Sequence, residues 1–110
     1  MYGYIYKTTN LINGKIYIGQ HKSEEYDSSY YGSGKLIRRA IEKYGIENFS
    51  NTVLCCCDSK QELNKMEKQL IKNYNSRDIK IGYNIISFVY MSKSSYVNTL
   101  NLKLLPGTKN

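Results

Sequence analysis

The stretch GYIYKTTNLINGKIYIGQ, residues 3–20, constrains this chain more than any other. Two runs of β-branched and aromatic residues flank Asn13-Gly14, a dipeptide that favours a two-residue hairpin turn. Residues 2–9 and 15–20 are therefore expected as antiparallel arms. Side chains alternate along a strand, and cross-strand partners point the same way. A turn centred on Asn13-Gly14 pairs Asn10 with Tyr17, and a register shifted by two pairs keeps every residue on its face. One face then carries Ile5, Leu11, Ile16 and Ile18, which suit a core. The other carries Tyr6, Lys15, Tyr17, Gly19 and His21, with Tyr4 and Thr8. The isoleucines explain how the hairpin packs. The tyrosines call for another explanation.

Residues 21–34 (HKSEEYDSSYYGSG) have no period and many turn formers, and read as a loop. In residues 34–45 (GKLIRRAIEKYG), Leu36, Ile37, Ala40, Ile41 and Tyr44 share one helical face. Ser33 is the expected N-cap and Gly45 the stop. Residues 48–57 (NFSNTVLCCC) read as a buried third strand. Ser59 and Glu62 stand at capping-box spacing and open a second helix, with Leu63, Met66, Leu70, Ile71 and Tyr74 as its apolar stripe. Residues 82–90 (GYNIISFVY) could add a last short strand. Adjacent strands followed by helices imply a small α+β domain, with helices packed on a short antiparallel sheet.

A chain of 110 residues fits one domain. Its net charge of +7 favours a polyanionic partner, nucleic acid or an anionic membrane surface. No apolar run approaches the roughly 18 residues that span a bilayer. Met1–Tyr6 has neither the basic region nor the apolar core of a signal peptide. The protein is expected inside a cell. Cys55, Cys56 and Cys57 are consecutive, a spacing that suits neither a disulfide nor a metal site. They read as small apolar strand residues in a reducing compartment.

Glu67 falls between Leu63, Leu70 and Ile71, inside the stripe of the second helix. A carboxylate there is costly unless it is paired or holds a cation. A lysine or arginine partner is one reading and a divalent metal is the other. A single carboxylate with waters and a substrate phosphate suits Mg²⁺. A basic surface, one carboxylate, phenols and a histidine that orient or deprotonate water, and a lysine to stabilise charge together suggest phosphate chemistry. A phenol is a poor base near neutrality, and Lys15 on the same face could lower its pKa.

With these residues in view, the sequence resembles the GIY-YIG nucleases. Gly3 and YIY at 4–6 stand where that family has Gly-Ile-Tyr, and YIG at 17–19 matches the second motif. KYG at 43–45, a following NF, Glu67 and GYNI at 82–85 recur in the family's order. The match covers residues 2 to about 86. Within the family, YIGQHK followed by YYGSGK is most similar to the free-standing homing endonucleases of phages. The resemblance implies a β-β-α-β-α domain, a three-stranded antiparallel sheet flanked by helices. It implies hydrolysis of DNA phosphodiesters with one divalent ion, Mg²⁺ or Mn²⁺. By this likeness Tyr6 activates the attacking water, Tyr17 orients that network, Glu67 binds the metal, and Gly19 and Asn84 support the site.

The pattern departs from the family in two places. Tyr4 displaces the first glycine of the motif. Many relatives carry an arginine about ten residues after the second motif, then a histidine or tyrosine one turn on; here Asp27 stands at the first position. His21, Lys22, Lys35, Arg38 and Arg39 are candidates for the charge, His21 by its face and Lys35 by its place at the helix start. Tyr30 or Tyr31 is a candidate for the second role. Lys15, Lys22, Tyr31, Arg38 and Arg39 are expected on a surface for double-stranded DNA. No membrane and no obligate protein partner are expected. Residues 1–90 form the expected nuclease domain and 91–110 a basic tail or linker. The competing readings are a nucleic-acid-binding module without catalysis and a small basic protein-interaction domain.

Overall fold

A computed structural model describes residues 1–85 of the chain. The expected tail at 91–110 and the second half of the expected strand at 82–90 lie outside the described residues. The elements run β1 (Gly3–Asn10), β2 (Ile16–Lys22), α1 (Lys35–Tyr44), a 3₁₀ turn (Ile46–Asn48), β3 (Phe49–Cys57) and α2 (Lys60–Tyr74). The three strands form one antiparallel sheet in the order β2-β1-β3. This is the expected α+β architecture.

The hairpin register pairs Thr8 with Tyr17 and Tyr6 with Gly19. Tyr17 thus pairs two residues away from the expected Asn10, and the faces are unchanged because the shift is even. The turn is longer than two residues. Asn10 exchanges backbone hydrogen bonds with Lys15 and Gly14, and Gly14 takes the φ of +79° that closes the loop. Leu11, expected on the core face, therefore lies at the loop tip and is 61% exposed.

The aliphatic face behaves as the alternation predicts. Ile5 and Ile18 pack with Cys57 and Leu63, flanked by Met66, Leu70 and Ile71 from α2. The capping of α2 supports this docking. Ser59 Oγ accepts from the Glu62 N–H, while Glu62 Oε1 accepts from the Asp58 N–H, one residue further back than a capping box requires.

The opposite face is covered as well. Ile37 and Ala40 of α1 pack with Phe49, Tyr17, Tyr31 and Tyr83, and the loop before α1 lies over the rest. Thr8 Oγ1 donates to the Tyr31 carbonyl, and the Asp27 N–H donates to the Tyr4 hydroxyl. Tyr4 and Tyr6 are each 1% exposed. Helix α1 begins after Gly34, not Ser33, and without a side-chain cap. Gly45, at φ +90°, ends it.

Strand β3 corrects one expectation. It is an edge strand, not a buried one, and Thr52, Val53 and Cys56 are exposed. An apolar run of this length fits an edge and an interior strand equally well. Leu54 is bulged between the Tyr6–Val53 and Ile5–Cys55 pairs. All three cysteines are free, and burial pushes the Cys57 thiol up to about 11.

Candidate active site

The site is built across the edge strand β2, at two consecutive residues that face opposite sides of the sheet. Gly19 faces the tyrosines. A Cβ there would meet the Tyr6 hydroxyl, lie 2.6 Å from Tyr6 Cζ and 2.8 Å from Tyr17 Cε2. The missing side chain is what lets the Tyr6 phenol cross to the edge of the sheet. Tyr6 and Tyr17 meet with ring centroids 6.2 Å apart. The Tyr17 hydroxyl lies against the Gly34 backbone, at the start of α1.

Gln20 faces the other way, towards α2. Its Nε2 donates to Glu67 Oε1 at 2.8 Å and to Asn64 Oδ1 at 2.9 Å. Glu67 is half-buried, and among the described residues it has no lysine or arginine partner. Burial is the largest cause that raises the pKa of Tyr6 and of Tyr17, and the charge of Glu67 adds to it. Just before Gly19, Asn84 clamps the backbone of Ile18: its Oδ1 accepts from the Ile18 N–H and its Nδ2 donates to the Ile18 carbonyl, both at 2.8 Å. The Ile16–Gly82 bridge delivers Asn84 to that edge.

Tyr30 packs edge-on against Tyr6, with centroids 5.5 Å apart, and stacks flat on His21 at 3.8 Å. His21 Nε2 lies 3.7 Å from Asp27 Oδ2. The Ser29 hydroxyl and N–H hold the Asp27 carboxyl below its usual range, His21 adding to the effect. Of the two candidates, Tyr30 therefore stands beside Tyr6. Tyr31, expected on the DNA surface, packs with Ile37 and Phe49 instead. The sequence signal that separates them is weak, since both lie in a loop without periodicity.

Lys15 is not among the groups that shift Tyr6 or Tyr17. Its Nζ lies 6.0 Å from the centre of the Tyr83 ring, at the hairpin end of β2. Among the described residues no cation lowers either phenol. Burial is the main cause that pushes Tyr6 far above its ordinary value, and Tyr17 and Tyr4 also rise. Lys22 points to the aliphatic side of β2, with its Nζ 5.3 Å from the centre of the Tyr2 ring. By contrast, Lys35, Arg38 and Arg39 line one groove of α1, whose first turn abuts Tyr17. Sequence reasoning missed Gln20. It reads as a polar strand residue, and only the tertiary fold shows that it reaches Glu67.

Metal chemistry is consistent with this arrangement in one form only. Among the described residues no group of three or more His, Cys, Asp or Glu side chains could enclose an ion. Glu67 offers one carboxylate whose Oε2 takes no hydrogen bond from a described residue. That donor set fits a hydrated hard cation that completes its shell with water and phosphate oxygens, and not a caged soft metal. Among the described residues no helix is long and apolar enough to cross a membrane.

No family model matches the chain. Several proteins of Enterobacteria phage T4 are similar to it, among them two named "Putative endonuclease". The segB protein is 52% identical over 71 residues, 64% of this chain and 32% of its own length. The segE protein is 38% identical over 116 residues, 98% of this chain and 57% of its own length. The chain thus spans between about a third and three-fifths of these relatives. Among solved structures, the catalytic domain of the homing endonuclease I-TevI superposes with a TM-score of 0.60 at 25% identity, over 76% of this chain and 98% of that one.

Proposed function

We infer that this chain is a member of the GIY-YIG nucleases, and on that premise we propose that it is an endonuclease that hydrolyses phosphodiesters of double-stranded DNA with one divalent ion, Mg²⁺ or Mn²⁺. The observation that carries the proposal is the β2 edge, where Tyr6 and Tyr17 meet at Gly19 on one face and Gln20 holds Glu67 on the other. The similar T4 proteins and the fold of the I-TevI domain support the same reading. The site works inside the cell that holds the DNA, with residues 1–90 as the nuclease unit and 91–110 as a basic tail.

Glu67 would hold the ion, which neutralises charge on the scissile phosphate. Tyr6 is neutral in the folded chain and donates its hydroxyl hydrogen. It orients the attacking water as a member of a phenol network with Tyr17 and Tyr30. A positive charge on Glu67 would offset the carboxylate that now raises both phenols. Lys35 brings a cation to the start of α1, one residue after the Gly34 that abuts Tyr17, and Arg38 and Arg39 extend the basic surface for the phosphate backbone. His21 braces Tyr30 by stacking, and Asn84 fixes the strand on which Gly19 sits.

Supercoiled plasmid, incubated with the protein and Mg²⁺, tests this directly. Nicking that needs the metal and fails in Glu67→Ala supports the proposal. A second reading, DNA binding without catalysis, is favoured by Asp27 at the position where many GIY-YIG nucleases carry arginine. Plasmid retention without nicking at any metal concentration would select it.

A further inference from the structure

We propose that Gln20 is the positioning residue of the Glu67 carboxylate: its side-chain amide holds Oε1 and turns Oε2 outward to take the divalent ion. The inference rests on the reading of Glu67 as the metal-holding group. A carboxylate only accepts hydrogen bonds, so the nitrogen end of the Gln20 amide must face it. That nitrogen has two hydrogens, and both are used. One goes to Glu67 Oε1 at 2.8 Å and the other to Asn64 Oδ1 at 2.9 Å. Asn64 lies one turn before Glu67 on α2, so the three side chains form a fork between a strand and a helix. Rotation of either amide or carboxylate breaks a bond.

The identity of the donor matters as much as its geometry. A lysine or arginine at residue 20 would pair with Glu67 and compete with any metal for its charge. Glutamine fixes the carboxylate and leaves the full negative charge in place. Its position is equally specific. Gln20 follows Gly19, so one dipeptide on one edge strand clears the way for the phenols and orients the carboxylate. Partners that orient metal ligands without touching the metal commonly govern affinity in this manner.

The test compares Gln20→Ala, Gln20→Met and Gln20→Lys with the wild-type chain. Gln20→Met keeps the length but removes both donated hydrogens and adds no charge. Loss of free-ion Mn²⁺ electron paramagnetic resonance signal measures binding to the protein without DNA, and plasmid nicking measures the metal concentration for half-maximal rate. In Gln20→Ala and Gln20→Met both midpoints should rise at least about tenfold, the range found for partners of metal ligands. The rate at saturating metal should fall far less. Gln20→Lys should abolish Mn²⁺ binding at a melting temperature near that of the wild type. A lower melting temperature with unchanged Mn²⁺ and Mg²⁺ midpoints would show a structural role and overturn the inference. Mn²⁺ binding that depends on Gln20 without nicking would sustain it while refuting the endonuclease reading. A wild type that binds no Mn²⁺ and cuts nothing would refute both.

Discussion

Tyr6 sits at 1% exposure with the phenols of Tyr17 and Tyr30 and the charge of Glu67 around it, and every one of these influences keeps its proton on. A folded-state pKa above the unfolded value leaves stability intact below about pH 10 and removes it as the pH rises further. Ultraviolet titration of the folded chain should therefore show most tyrosines ionising near pH 10 and a buried group ionising only with unfolding. Tyr6→Phe should remove that late component in part. It should change stability by no more than about 1 kcal/mol by thermal melting, because a single hydroxyl is lost. Gly19 gives the opposite test. Gly19→Ala places a methyl group on rigid rings, and should cost about 1–3 kcal/mol of stability and displace Tyr6 from the edge. An alanine variant as stable and active as the wild type would mean that the phenol does not need that gap.

At the scale of elements, alternation alone sorted the hairpin into an isoleucine face and a tyrosine face, because strand periodicity is indifferent to what covers each side. It could not show that the tyrosine face would be roofed by residues 23–34 and α1, which depends on contacts such as Thr8 to Tyr31 far apart in sequence. The same limit explains Lys15, whose face was right and whose neighbour, Tyr83, comes from the far end of the domain. Glu67 was legible because it breaks an apolar stripe. Gln20 was not, because polar residues on an edge strand are ordinary. Asn84 ties these elements together. Asn84→Ala would leave the Ile18 N–H and carbonyl unpaired, at a cost of about 1–3 kcal/mol. Hydrogen exchange should accelerate at the Ile18 amide, while α1 amides change little. Unchanged protection at Ile18 would show that β2 holds without the clamp.

Across the whole molecule, the +7 charge is not uniform in its use. The groove on α1 gathers Lys35, Arg38 and Arg39 beside Glu42, whereas Lys22 points to the aliphatic side of β2. Each phosphate contact contributes about 0.9 to the slope of log affinity against log salt on duplex DNA. Arg38→Ala and Arg39→Ala should each lower the slope by about that amount in a filter-binding titration, and Lys22→Ala should not. Equal effects of all three would mean that the charge acts as a diffuse field. Catalysis itself is decided by plasmid nicking with and without Mg²⁺, with wild type beside Glu67→Ala and Tyr6→Phe. The arrangement across the β2 edge predicts metal-dependent nicking by the wild type, none by Glu67→Ala, and a loss of about a hundredfold or more in Tyr6→Phe. Nicking by Glu67→Ala or Tyr6→Phe at the wild-type rate would contradict it.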